Sequence, residues 1–210
     1  MTARADTRNG TYMETKKLIE KAVQKDPDAF CSLIQMYAQD MYRIALAILM
    51  NDEDVADALQ DVALTCWEKI TTLRNPEYFK TWLIRIVINK SREILRRNRR
   101  YADIEDVPET ATYDECNIEL KEALRSLEEK YRVPVILYYY EGYDTGEISK
   151  ILKLPGSTVR TRLQRAREKL KEFLEDPKVQ TGEHASDHSD RQDKRGEYNA
   201  DTRRYIQTGN

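Results

Sequence analysis

Glu141–Leu170 reads EGYDTGEISKILKLPGSTVRTRLQRAREKL, a short helix, a tight turn and a basic helix. Asp144 is positioned to cap the first helix, with Glu147 three residues on to complete a capping box. Ile148, Ile151 and Leu152 supply its apolar stripe. Pro155-Gly156 breaks the chain, and Ser157 is expected to cap the second helix. Val159, Leu163, Ala166 and Leu170 recur at intervals of four, three and four, which makes one buried face. The remaining surface carries Arg160, Arg162, Arg165, Arg167, Lys169 and Lys171 against the single acid Glu168. A charged helix face is often only a solvated face. One this one-sided suits the major groove of duplex DNA.

The chain around this motif supports an all-α fold. Glycine is scarce, at seven in 210 residues, and apolar periodicity is almost wholly helical. The net charge of −2 argues against a polyanion ligand only if charge is spread evenly. It is not. Between Ile84 and Tyr101 stand Arg85, Lys90, Arg92, Arg96, Arg97, Arg99 and Arg100 against Glu93. Between Ala102 and Leu120 stand seven acids and no Lys or Arg. Local sign governs where nucleic acid can lie.

Met13–Lys25 is expected to be a short helix, ended by Asp26-Pro27-Asp28. One helical stripe then runs through Phe30, Leu33, Ile34, Tyr37, Met41, Ile44, Ala45 and Ile48. Asn51–Asp54 caps a third helix, with Val55, Ala58, Leu59, Val62, Cys66 and Ile70 inward. A fourth helix begins near Glu77 and runs, with a break around Asn89–Ser91, into the arginine-rich end. Ser126 and Glu129 are expected to form a second capping box, and Pro134 to bend the helix that follows. The organisation is two small helical domains joined by an acidic linker, the second with the helix-turn-helix. The expected bounds are a loose N-terminus at 1–11, a first domain at 12–101, the linker at 102–120, a second domain at 121–175 and a polar, disordered tail at 176–210.

Cys31, Cys66 and Cys116 lack metal-type spacing, and a sparse, odd count fits a reducing compartment. No apolar run reaches a membrane span's length, and no signal peptide is visible, so a cytoplasmic location is expected. There is no P-loop, dinucleotide-binding glycine motif or zinc-hydrolase motif. No catalytic residue, cofactor, metal site or small-molecule substrate is therefore expected. His184 and His188, four apart in the tail, are read as chance.

Asn51–Asp61 (NDEDVADALQD), followed by Phe79–Ile86 (FKTWLIRI) and Asn89, resembles region 2 of bacterial sigma factors. Ser126–Arg132 (SLEEKYR), Glu141-Gly142-Tyr143 and Ser157–Leu163 (STVRTRL) resemble region 4. Two such domains on a short linker resemble the extracytoplasmic-function class. The resemblance covers roughly residues 13–175. It implies a dissociable subunit of RNA polymerase that directs promoter recognition and initiation, with catalysis left to the polymerase. It further implies as partners the polymerase core (β′ clamp and β flap), promoter DNA and an anti-sigma factor, in some cases membrane-bound.

Residue by residue, the resemblance implies core binding by Asp54, Asp57, Gln60 and Asp61. It implies −10 binding by Asn89, Lys90, Ser91 and Arg92 in a base-capturing loop, with Arg96 and Arg97 holding phosphates. On the recognition helix, Arg160, Thr161, Gln164 and Arg165 are the expected −35 base readers, and Arg162 meets phosphate. Primary sigma factors carry paired tryptophans near position 82. Here Leu83 follows Trp82, so Trp82 is assigned to packing. The acidic linker is either a plain tether or a segment threaded into the polymerase cleft. The rival reading is a free-standing helix-turn-helix regulator that binds its operator unaided.

Overall fold

The computed structural model describes residues 3–101 and 118–175. Its order is α1 (Ala3–Val23), α2 (Pro27–Met36), α3 (Ala38–Leu49), α4 (Asp52–Lys69), α5 (Phe79–Tyr101), α6 (Ile118–Ser126), α7 (Glu129–Val135), α8 (Thr145–Leu152) and α9 (Gly156–Glu175). No strand occurs among the described residues. The expected tail and most of the expected linker lie outside them, as do His184, His188 and Cys116.

Local chemistry sets most of these boundaries. Asp26 accepts a hydrogen bond from Ala29 N at 3.0 Å and Pro27 opens α2, where its missing N–H costs nothing. Asn51 accepts from Asp54 N at 3.0 Å and starts α4 under three acids that favour a helix N-terminus. Short 3₁₀ turns, Ile70–Thr72 and Pro76–Tyr78, lead into α5.

Several expectations are corrected. The backbone is helical from Ala3, within the stretch expected to precede the first helix. The stripe from Phe30 to Ile48 is two helices, because Tyr37 leaves helical geometry (φ −100°, ψ 6°) while its ring stays on the core side. The acidic segment gives way to α6 at Ile118, two residues before the expected end of the linker. Ser126 ends α6 instead of capping α7, and its Oγ donates back to Ala123 O at 2.8 Å. Glu128, without a side-chain cap, precedes α7. After Pro134 the helix widens into a π turn, Ile136–Tyr140, closed by Glu141 N–H to Ile136 O at 3.1 Å.

α3 is central. It packs against α4 and α5 on one side and against α7 and the π turn on the other. Ile44, Ala45, Leu46, Ala47, Ile48 and Leu49 are all buried, six in succession. A helix buries consecutive residues only when covered all round. The two halves therefore share one apolar core in this structure.

Candidate nucleic-acid interface

The helix-turn-helix is α8 and α9. Asp144 accepts from Glu147 N at 2.8 Å, and Glu147 accepts from Asp144 N at 2.9 Å, so the expected capping box is formed. Lys153, at φ 54°, ends α8 in the left-handed region, and Leu154 N–H returns to Ser149 O. The break thus begins before Pro155. α9 starts at Gly156, with Pro155 O receiving Val159 N–H at 3.1 Å, so Ser157 is inside the helix and is not its cap.

Val159, Leu163, Ala166 and Leu170 of α9 are buried, as their spacing requires. Arg160, Thr161, Gln164, Arg165 and Glu168 face solvent together, and Arg162 and Arg167 flank them half-buried. Gln164 donates to Glu168 at 3.0 Å and Thr161 Oγ1 donates to Ser157 O at 3.0 Å, which restrains both readers before any DNA arrives. A cleft of about 350 Å³ opens at the start of α9, lined by Ser157, Thr158, Thr161, Arg162 and Arg165 with Lys130 and Tyr131. Helix-end N–H groups and several cations meet there, an arrangement that attracts phosphate. Sequence reading missed Lys130, because nothing in its neighbourhood signals that α7 begins beside α9.

The second basic element, α5, differs from expectation. It is one unbroken helix from Phe79 to Tyr101, so the loop expected after Ile88 is absent. The core stripe of α5 (Val87, Ile88, Ile94) passes through Ser91, which is fully buried, its Oγ without a hydrogen-bond partner. Ser91, expected in the −10 loop, therefore lies in the core and not at the surface in this structure. Asn89, Arg96 and Arg97 are exposed, and Lys90 pairs with Glu93 at 3.6 Å. Arg92 pairs with Glu129 of α7 at 2.9 Å, and Arg85 donates to Lys150 O of α8 at 3.0 Å. Trp82 is half-buried against the Phe79 ring, 5.9 Å between centroids, which is a packing role.

The acidic helix α4 buries Val55, Ala58, Val62 and Cys66 and exposes Asp57, Gln60 and Asp61 on one side. Asp54, on the same side of α4 and half-buried, is held within the chain: Asn98 Nδ2 of α5 donates to both its oxygens, at 2.8 and 2.9 Å. Leu64, 65 % exposed, follows Asp57, Gln60 and Asp61 at helical spacing. It falls outside the core stripe, and that misfit was the signal available in the sequence.

Cross-links between the halves surround Glu141, whose side chain is only 1 % exposed. Its Oε1 receives Arg43 at 3.1 Å, and Lys80 Nζ lies 3.0 Å from Oε2. Asp40 completes the cluster, paired with Arg43 and, at 3.1 Å, with Lys80. Burial works to lower the Lys80 ammonium. Its hydrogen bonds to Glu141 and Asp40 outweigh that and hold it above the ordinary lysine value. Arg132, buried, donates from Nε to Ala47 O at 2.7 Å and from Nη1 to Leu127 O at 2.7 Å. Among the described residues, no group of three or more His, Cys, Asp or Glu could hold a metal ion, and no helix is long and apolar enough to cross a membrane.

Two family models match the chain: "Sigma-70 region 2" over residues 33–101 and "Sigma-70, region 4" over residues 117–170. The chain is 30% identical over 163 residues to the ECF RNA polymerase sigma factor SigM of Mycobacterium tuberculosis, covering 75% of this chain and 83% of SigM. It is 28% identical over 184 residues to the ECF RNA polymerase sigma factor SigW of Bacillus subtilis, covering 78% of this chain and 98% of SigW. Its fold is similar to that of the sigma factor RpoE of Bartonella quintana, solved with the anti-sigma factor NepR. The TM-score is 0.61 at 23% identity, over 70% of this chain and 98% of RpoE.

Proposed function

Because the chain belongs to the extracytoplasmic-function class of sigma factors, whose place is on RNA polymerase at a promoter, we propose which of its surfaces carries each part of that work. The exposed face of α9 reads the −35 element as duplex: Arg160 and Arg165 present guanidinium forks to guanine, Gln164 an amide to adenine, and Thr161 a hydroxyl. Arg162, with Lys130 beside the same cleft, holds phosphate and sets the register without reading sequence. Asn89, Lys90 and Arg92 of α5 address the −10 element, and Arg96 and Arg97 bind its backbone. Asp57, Gln60 and Asp61 of α4 dock on cationic surface of the polymerase β′ clamp, with Leu64 as an apolar contact among them. Asp54 acts indirectly, by fixing α4 to α5. The second half also meets the β flap.

The observation that carries this reading is the solvent-facing cluster Arg160, Thr161, Gln164 and Arg165 on a helix whose opposite side is wholly buried. The protein supplies specificity, and the polymerase supplies catalysis; no cofactor or small-molecule substrate enters. It acts in the cytoplasm, and an anti-sigma factor, free or membrane-bound, holds it inactive by covering its docking faces. The solved RpoE–NepR pair supports a partner of that kind. Run-off transcription with purified core polymerase on a promoter library tests the reading. Initiation should require both components, and Arg165→Ala should change which −35 sequences are used. Specific DNA binding by the chain alone, with no initiation in the presence of core, would refute it.

A further inference from the structure

From Ser157 to Lys171, Glu168 is the single acid of α9, and it is exposed beside Arg160, Thr161, Gln164 and Arg165. A carboxylate on a DNA-facing surface repels phosphate and lowers affinity for every sequence. Its cationic neighbours at helical spacing are Arg165 and Lys171, yet among the described residues Glu168 forms an ion pair with neither; Lys171 lies 3.8 Å from Glu175 instead. The partner of Glu168 is Gln164, one turn earlier, whose Nε2 donates to its Oε1 at 3.0 Å.

A glutamine by itself is an ambiguous reader. Its amide has a carbonyl acceptor and an NH2 with two donors, and turning over exchanges the two ends. With the NH2 toward the base it suits the acceptors of guanine or thymine. With the carbonyl and one N–H presented together it suits N6 and N7 of adenine. Glu168 removes that choice. A carboxylate only accepts, so Gln164 must turn its NH2 toward it, which leaves one N–H and the carbonyl Oε1 for the base. Guanine would then set its O6 against Oε1, two acceptors with no proton between them, and a desolvated polar contact left unmade is strongly penalised. Cytosine offers a single N4 donor and satisfies only half of the amide. Thr161, on the same face, works in the same sense. Its hydroxyl has one proton, which goes to Ser157 O at 3.0 Å, so Oγ1 meets the DNA as an acceptor.

We propose that Glu168 is a positioning residue: it touches no base, but fixes the Gln164 amide so that α9 selects adenine at one base pair of the −35 element. The proposal rests on the assignment of the α9 face to that element. In water such a pair on an exposed helix is worth little. In the groove, where water is excluded, the same hydrogen bond is stronger and the wrong orientation leaves polar groups unpaired.

Holoenzyme reconstituted from the full chain and core polymerase tests this, by competition binding to duplex promoters with each −35 position varied in turn. Gln164→Ala should erase an adenine preference at one position and so mark it. Glu168→Ala should reduce the preference at that same position about fivefold, the low end of what one good bidentate contact discriminates, while affinity for other sequences holds or rises. Glu168→Asp, which keeps an acceptor one turn from the glutamine, should retain most of the preference. Gln164→Ala combined with Glu168→Ala should be no worse there than Gln164→Ala alone, because the two act as one unit. Alanine favours the helix, so helical circular dichroism should be unchanged in all of them. A uniform rise in affinity for Glu168→Ala, with the adenine preference intact, would mean that the residue acts through charge alone and overturns the proposal. A preference lost at a different position would make Glu168 itself a base reader and overturns it too. Loss of preference in Glu168→Asp equal to that in Glu168→Ala, or no position-specific effect of Gln164→Ala, does the same while leaving the promoter reading in place. Wild-type holoenzyme indifferent to every −35 substitution would sink that reading, and the proposal with it.

Discussion

Arg132→Met keeps most of the stem volume and removes the guanidinium that joins two helix ends. Ala47 O belongs to the last turn of α3, and Leu124, Arg125 and Leu127 carbonyls close α6. Ala47 and Arg125 stand in the last turn of their helices, where carbonyls lack an intrahelical N–H partner and carry the negative end of the dipole; Leu127 follows α6 directly, and Leu124 O also receives Leu127 N–H at 3.3 Å. Replacing a buried ion pair with apolar residues can be neutral when both partners are replaced. Here the acceptors are backbone and cannot be replaced, so the relief of charge burial is opposed by stranded carbonyls. The two bonds at 2.7 Å, to Ala47 and Leu127, dominate; those at 3.2 and 3.4 Å add little. At about 1–3 kcal/mol per unsatisfied buried acceptor, the expected loss is roughly 3 kcal/mol. Arg132→Lys should recover about half of it, since one ammonium cannot reach both helix ends. Urea unfolding followed by circular dichroism measures both. A loss below about 1 kcal/mol for the methionine variant, within the ordinary range for a single substitution, would refute the argument. Lysine matching arginine would refute it equally.

Arg165→Ala should lose about 1–3 kcal/mol of discrimination at one −35 base pair in competition binding by holoenzyme; equal loss on every sequence would reassign the residue to phosphate. Asp57→Lys with Asp61→Lys should weaken binding to core polymerase about tenfold or more while leaving the melting temperature near wild type. Asp54→Ala should do the reverse, lowering stability by about 1 kcal/mol through loss of the Asn98 contact and sparing core affinity, as calorimetry and core competition would read. Burial pushes the Cys66 thiol up to about 12, from 9.0. At pH 8 a thiol reagent should therefore modify exposed Cys31 and reach Cys66 only on unfolding. Folding stability should also fall as pH rises from about 9 toward 12, because the unfolded chain releases that proton first.

Elements whose signals lie within one helical turn were legible. The Asn51 cap, the Asp144–Glu147 box and the buried stripe of α9 all depend on neighbours three or four residues away, and the structure contains each. The misreadings have separate causes. A stripe of apolar residues does not register a kink, so Tyr37 was passed over. A serine before a helix offers two outlets for its hydroxyl, and Ser126 took the one behind it. The left-handed Lys153 carries no local mark, since such positions usually hold glycine or asparagine. The break expected around Asn89–Ser91, which the resemblance reinforced as a loop, does not occur, because the core stripe through Ser91 keeps the helix intact.

Local periodicity by itself determined that the chain is helical throughout its core, that α9 turns its arginines outward and that α4 offers an acidic side, because side-chain spacing on a helix fixes its faces without reference to anything distant. Only the tertiary structure decided that Asp54 serves Asn98, that Arg92 is covered by Glu129 and that Glu141 is buried between Arg43 and Lys80. Arg43 and Glu141 stand 98 positions apart. A contact at that separation depends on how whole helices pack, and no pattern within a turn or two of sequence can encode it.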